Sequence, residues 1–343
     1  MRKLLNTLYV TNSGTYLALD GENIVLKEED KELGRIPLHN LESIVTMGYI
    51  GASPALMGKC AENNISLVFL KPSGKFLAKV VGKSYGNILL RKEQYRLADN
   101  RVESTEIAKS FITGKLYNSK SVIERAIRDH GQRLDREKLE KVSRQLKEAI
   151  IATQRVESCA ELRGYEGEAA TRYFSVFDML ILQQKDDFKF LKRSKRPPQD
   201  NVNALLSFVY TLLTGMCSSA LEVVGLDPYA GYMHTDRPGR ASLALDLMEE
   251  LRSVMADRFV LTLINRRLVS QKGFYKKENG AVLMDDETRR TVLKLWQERK
   301  KDIITHPFLE EKIEWGLIPY AQAMLLARYI RGDLDAYPPY TWK

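Results

Sequence analysis

Cysteine is nearly absent from this chain: three residues in 343, Cys60, Cys159 and Cys217, with no Cys-x-x-Cys pair. An odd, scattered set builds neither a disulfide framework nor a thiolate zinc cluster, and it fits a reducing compartment. Histidine is as scarce, at four residues, too few for a histidine-rich metal site. Also missing are GxxxxGK[ST], a GxGxxG after a strand, GxSxG and HExxH. Their absence removes the usual signatures of nucleotide hydrolysis, dinucleotide redox chemistry and serine or zinc hydrolysis. The first residues lack the apolar run of a signal peptide, because Asn6, Thr7, Thr11 and Asn12 interrupt it. One apolar stretch, 204–225, carries Glu222 as its only charge. Gly215, Ser218 and Ser219 interrupt it and no second span accompanies it, so a buried core helix in a cytoplasmic, non-membrane protein is expected.

What the chain does have is positive charge, 53 Lys and Arg against 44 Asp and Glu, a formal +9. The hydrophobic fraction of 44% and charged fraction of 28% are those of an ordinary globular protein. At roughly 100–200 residues per domain, two domains are expected. The excess charge is concentrated. Lys71, Lys75, Lys79, Lys83, Arg91, Lys92 and Arg96 face only Glu93 across 71–96, and Lys189, Lys192, Arg193, Lys195 and Arg196 crowd 185–198. Phe188 and Phe190 interleave with the second cluster. A solvated surface run is the plain reading of either cluster, and two together favour a phosphate-backbone footprint.

The chain reads as an α+β protein, a small β-rich N-terminal domain followed by a larger all-α-helical one. Turn-bounded strands are expected over 7–11, 15–19, 23–26, 35–38, 43–46, 65–70 and 75–81, with a short helix capped by Ser53. Helical periodicity takes over from about Ile88, over 103–120, 121–129, 133–153, 203–224, 242–269, 286–304 and 318–329. The junction falls near 84–100, giving domains 1–86 and 87–343.

A mixed carboxylate–histidine set is the candidate for chemistry. Its first piece is Arg163-Gly164-Tyr165-Glu166-Gly167, where two glycines strip side-chain bulk from around Glu166 so that a large ligand could approach. Each glycine costs a helix roughly 1 kcal/mol. The alternative is a helix start with an acid in its first turn. The second piece is His234, in a loop with Pro238 and Gly239, where a surface histidine is the alternative. The third is Asp246 and Glu249, which share a helical face beside the apolar stripe Leu243, Leu247 and Leu251. A partly buried acid pair needs a cation, and Arg252 could supply it by salt bridge. Two carboxylates and one imidazole otherwise suit a hard divalent ion, Mg²⁺ or Mn²⁺. Beside basic patches, that points to phosphodiester cleavage or transfer.

Gly164-Tyr165-Glu166-Gly167, Asn203-Ala204-Leu205-Leu206, Gly231-Tyr232-Met233-His234 and Asp246-Leu247-Met248-Glu249 occur in this order. Together they resemble the CRISPR-associated endonuclease/integrase family of spacer acquisition. The resemblance runs the whole chain, through 263–267 and 307–311, and Arg237-Pro238-Gly239-Arg240 is similar to the form found in type I-C systems. It implies that Glu166, His234 and Glu249 are catalytic and bind one divalent metal, with Asp246 the nearby second acid and a possible ligand. It implies a homodimer through the β domains and a heterohexamer with a second, small CRISPR-associated adaptation protein. The substrates it implies are a double-stranded DNA fragment and the CRISPR repeat, the fragment's 3′-hydroxyl attacking a phosphodiester at the repeat boundary. Arg163, Arg237 and Arg240 flank the expected ligands and, with Lys192, Arg193, Lys195 and Arg196, are the candidates for DNA contact. Two competing readings remain, a stand-alone metal-dependent nuclease on branched DNA and a non-catalytic DNA-binding scaffold whose acids sit in salt bridges.

Overall fold

The computed structural model describes residues 6–12, 14–29, 31–63, 65–71, 76–82 and 88–342. Lys75, Lys83 and part of the expected domain junction lie outside them. The chain divides into two compact units, Met1–Tyr85 with Asp286–Ile303 and Glu314–Leu317, and Gly86–Asp285 with Ile304–Ile313 and Ile318–Lys343.

The first unit is strand-rich. Strands β1 (Thr7–Val10), β5 (Ser43–Met47), β7 (Ser66–Leu70) and β8 (Phe76–Lys79) form one sheet in that order. β1, β5 and β7 run parallel, and β8 closes the sheet antiparallel to β7. The second sheet takes β4 (Lys31–Pro37), β3 (Asn23–Glu28), β2 (Thr15–Asp20) and β6 (Gly51–Ala52). The two-residue turn between β2 and β3 is possible because Gly21 takes φ +57°. Helix α1 (Pro54–Glu62) starts where Ser53 Oγ accepts the Leu56 N–H at 3.2 Å, with proline in the first turn. Leu17, Ile24, Leu38, Ile44, Leu56, Cys60 and Leu67 form the core between these elements. Burial pushes the Cys60 thiol up to about 11, the behaviour of a packing residue rather than a reactive one.

A single boundary near residue 86 would leave everything after it in the helical domain. Instead helix α9 (Asp286–Arg299) belongs to the first unit. There Trp296 is fully buried against Trp315, ring centroids 5.1 Å apart. Lys300 Nζ donates to Thr7 Oγ1 at 3.1 Å and Arg290 Nε to Thr11 Oγ1 at 3.0 Å. Long-range burial decides that placement, and local periodicity carries no trace of it.

The second unit contains α2 (Ile88–Asp99), α3 (Arg101–His130), α4 (Arg136–Thr153), α5 (Cys159–Ser175), α6 (Asn201–Val224), α7 (Ser242–Leu251), α8 (Arg258–Asn265) and α10 (Ile318–Ile330). The stretches expected as separate helices over 103–129 are one, since no breaker divides them. By length and composition α6 could cross a membrane, but Leu205, Leu206, Val209, Leu213 and Leu221 are all buried in this unit, as a core helix requires. The helix expected over 242–269 is interrupted by a π turn, Arg252–Asp257. Asn118 Nδ2 donates to the Glu250 carbonyl at 2.7 Å just where the α-helical ladder gives way, the kind of side-chain intrusion that breaks regular spacing.

Asn118 also ties down the last residues, donating to the Tyr340 carbonyl at 2.7 Å and accepting the Trp342 N–H at 2.7 Å. The Glu250 carboxylate, fully buried, accepts the Tyr340 N–H at 2.7 Å and the Tyr337 hydroxyl, while Gln322 donates to it at 3.1 Å. The approach requires Gly114, because a Cβ there would lie 2.9 Å from Glu250 Cβ and 3.0 Å from Pro339 Cβ. Replacing Asn118 by alanine leaves two carbonyls and one N–H without their partner. At roughly 1–3 kcal/mol for each buried group left unpaired, Asn118→Ala should lose about 3 kcal/mol or more of unfolding free energy. Denaturant unfolding measures it, and an unchanged midpoint would show that the strap carries no load.

Candidate active site

Asp246, on the second turn of α7 and fully buried, organises the loop that precedes the helix. Its Oδ2 accepts the N–H groups of Tyr232 at 2.7 Å and Met233 at 3.0 Å. Its Oδ1 accepts the His234 N–H at 3.1 Å and faces His234 Nδ1 at 2.5 Å. With three backbone donors on it the carboxylate only accepts, so Nδ1 is the donor and Nε2 is the ring nitrogen left for another partner. Gly231 is obligatory at this crossing, since a Cβ would stand 2.7 Å from Ser242 Cβ and 2.9 Å from Asp246 Oδ2.

One turn further, Glu249 is buried, with its Oε1 2.6 Å from Arg252 Nη2 and its Oε2 2.7 Å from Lys115 Nζ. Burial alone would raise its pKa. Arg252 and Lys115 outweigh that, with a smaller contribution from His234, and hold the carboxyl at about 2. The Lys115 ammonium also pairs with Glu166. Carboxylates from α5 and α7 therefore converge on one cation delivered by α3.

Lys115, Glu166, Lys192, Lys195 and Arg252 line a cavity of about 420 Å³, with Tyr173 and Tyr210 in its wall. The Tyr210 ring is flanked by two guanidiniums, Arg252 at 4.9 Å and Arg193 at 5.1 Å from its centroid. The Tyr210 hydroxyl donates to Asp257 Oδ1 at 2.5 Å. Burial pushes the Asp257 carboxyl up to about 6 against the opposing pull of Tyr210 and Arg252.

The residues expected from sequence separate into groups. Glu166 and Glu249 meet at Lys115, and His234 is held by Asp246. Every oxygen of Asp246 is taken by the loop, so it orients the imidazole. Glu166 sits in mid-helix, well past the Ser158 N-cap, which replaces the alternative of a first-turn acid. The Arg252–Glu249 salt bridge offered as an alternative is present. Lys192, Lys195, Arg196 and Arg237 are exposed, and Arg240 is half-buried.

Two expected DNA contacts are otherwise engaged. Arg193 turns inward to Asn203 Oδ1 at 2.6 Å and Ser207 Oγ at 3.1 Å, because the buried Asn203 side chain needs that donor. Arg163 donates to the Met233 carbonyl at 3.1 Å and braces the histidine loop. Phe188 and Phe190 do not interleave with surface charge either: both are buried, against Phe274 and Phe177.

Sequence reasoning passed over Lys115, Asn118 and Tyr210. A signal for Lys115 exists in the series Ile107, Phe111, Lys115, where a lysine continues a buried i, i+4 stripe and must find a carboxylate.

Among the described residues, no three His, Cys, Asp or Glu side chains form a ready metal cage, and the Lys115 ammonium contacts both glutamates. The donor set nevertheless fits a hard cation. Two carboxylates already converge on a positive charge, and oxygen donors of that kind are what a hard divalent ion takes.

Two acids gathered on one cation, beside a cavity lined by lysine and arginine, are equipment suited to a phosphate-bearing substrate. The chain belongs to the CRISPR associated protein Cas1 family, whose model matches residues 8–298. It is 51% identical to a CRISPR-associated endonuclease Cas1 of Rhodospirillum rubrum over 347 aligned positions, 100% of both chains. Its fold matches a casposase bound to integration product at TM-score 0.84 and 21% identity, covering 98% of this chain and 94% of that one. It also matches a chain of a Cas6-RT-Cas1–Cas2 complex at TM-score 0.81 and 21% identity, covering 98% of this chain and 36% of that one. Family membership places this chain among the CRISPR-associated endonucleases.

Asp257 gives the site a pH signature. Its folded pKa of about 6 exceeds the ordinary 3.8, so the stability it contributes is complete below 3.8 and is lost as pH rises to about 6. Asp257→Asn cannot lose a proton. From about pH 4 to pH 7 its stability should therefore gain on the unmodified chain by an amount on the order of 3 kcal/mol. Thermal unfolding across that window measures the difference, and a flat difference would show that Asp257 is already ionised when folded.

Proposed function

We propose that this chain cuts and joins DNA phosphodiesters in the insertion of short foreign fragments into a CRISPR array, using one divalent ion, Mg²⁺ or Mn²⁺, held by Glu166, His234 and Glu249. The observation that carries the reading is the convergence of Glu166 and Glu249, from two separate helices, on a single cation. Glu249 rather than Asp246 is the third ligand in this reading, because Asp246 has no acceptor capacity left to offer.

Held by these residues, a divalent ion would supply Lewis acidity to the phosphodiester. The chain's own residues do the rest. Asp246 fixes the imidazole with Nε2 outward, and Arg252 holds Glu249 by its other oxygen. Exposed Lys192, Lys195, Arg196 and Arg237 attract the phosphate backbone without reading sequence. A 3′-hydroxyl displacing the repeat phosphodiester needs no enzyme-bound covalent intermediate, so positioning and charge stabilisation account for the rate.

A casposase with an integration product and a Cas1 chain assembled with Cas2 share this fold, which supports DNA and a small adaptation protein as partners. Homodimerisation through the strand-rich unit, the heterohexamer and a type I-C system complete the reading. The ion pairs of Lys115 and Arg252 favour one competing reading, a scaffold whose acids are merely neutralised.

A half-site integration assay with Mn²⁺, run with and without the small partner, separates these readings. Glu166→Gln, His234→Ala and Glu249→Gln should each lower strand transfer by roughly a hundredfold or more, with DNA affinity nearly unchanged. EDTA should do the same to the unmodified chain. Full transfer by any of the three variants would remove that residue from the site, and nicking without the partner would favour a stand-alone nuclease.

A further inference from the structure

Lys115 is a charged residue at the centre of this site that neither the motif pattern nor the proposed reaction accounts for. Its side chain is almost entirely buried, and its ammonium touches both Glu166 and Glu249. Among the groups in direct contact the charges balance: the two carboxylates are matched by Lys115 and Arg252, and the rest of the cavity wall adds Lys192, Arg193 and Lys195 against Asp257. A divalent ion added to that set would leave two uncompensated positive charges in a largely buried site, a costly arrangement. The ammonium also stands where an ion shared by the two carboxylates would have to stand. Arg252 is fixed by its stacking on Tyr210 and its bond to Glu249 Oε1, so it cannot be the group that yields. Lys115 can, because it borders the cavity of about 420 Å³ and its flexible stem has space to swing into it.

We infer that Lys115 is a built-in counter-cation that occupies the metal seat when no metal is bound, and that metal loading displaces it from Glu166 and Glu249 into the cavity. This rests on the metal-ligand reading proposed above. The ammonium neutralises the paired carboxylates in the metal-free chain, at the expense of metal affinity. The apparent dissociation constant is the intrinsic one divided by the fraction of molecules in which the seat is open.

Mn²⁺ titration by calorimetry on the metal-free protein tests this, together with thermal melting before and after metal. Lys115→Met keeps the stem and removes the charge. It should bind Mn²⁺ roughly tenfold or more tightly than the unmodified chain. It should also melt lower without metal and recover on Mn²⁺ addition by a larger margin. Lys115→Arg, which retains the charge, should show no tightening. Should Lys115→Met not fold without metal, Lys115→Gln carries the same comparison. Equal or weaker Mn²⁺ binding by the neutral variant, while the unmodified chain binds and Glu166→Gln does not, would overturn the displacement and leave the metal site standing. Failure of the unmodified chain to bind Mn²⁺ at millimolar concentration would overturn the metal reading itself, and the inference with it.

Discussion

Two ionised carboxylates cannot be gathered out of water without positive charge beside them, and the helical unit of this chain meets that constraint at Glu166 and Glu249. Glu166 and Glu249 come from helices distant in sequence, and each alone would be an ordinary acid. Brought together out of water, they repel one another and resist burial by several kcal/mol unless positive charge meets them. Lys115 and Arg252 meet that need in the metal-free chain, and together they hold Glu249 ionised against its desolvation. The same electrostatic demand that stabilises the fold is what a divalent ion would use.

Much of the surrounding architecture fixes the directions of these few groups. Gly231 lets the loop cross α7 closely enough for Asp246 to gather three N–H groups, and that cradle sets the face of His234. The π turn over Arg252–Asp257 begins where Asn118 takes the Glu250 carbonyl, and it carries Arg252 and Asp257 onto Tyr210. Asn118, Glu250 and Gln322 then bind the segment 337–342. Backbone donors and carbonyls do most of this work, so side chains at the site need little freedom of their own.

The strand-rich and helical regions were legible because periods of two and 3.6 residues are local properties, and the Ser53 cap at the start of α1 was legible for the same reason. Glu166, His234, Asp246 and Glu249 stood out because glycine bracketing, a loop histidine and an i, i+3 acid pair are local too. What escaped was set by long-range burial. The assignment of α9 to the first unit depends on Trp296 finding Trp315, and the inward turn of Arg193 depends on Asn203. The break in the 242–269 helix depends on a side chain from α3. Lys115 escaped because a lysine in an otherwise apolar stripe reads as surface until its carboxylates are seen.

The central claim is that Glu166, His234 and Glu249 form one cation site. Its most direct test is an anomalous difference map from crystals of the unmodified protein soaked in Mn²⁺, collected above the manganese edge. The account predicts one dominant peak between the two glutamates and His234 Nε2, with the Lys115 ammonium withdrawn from it. A peak on Asp246, or no peak between Glu166 and Glu249 with Lys115 still in place, would contradict it.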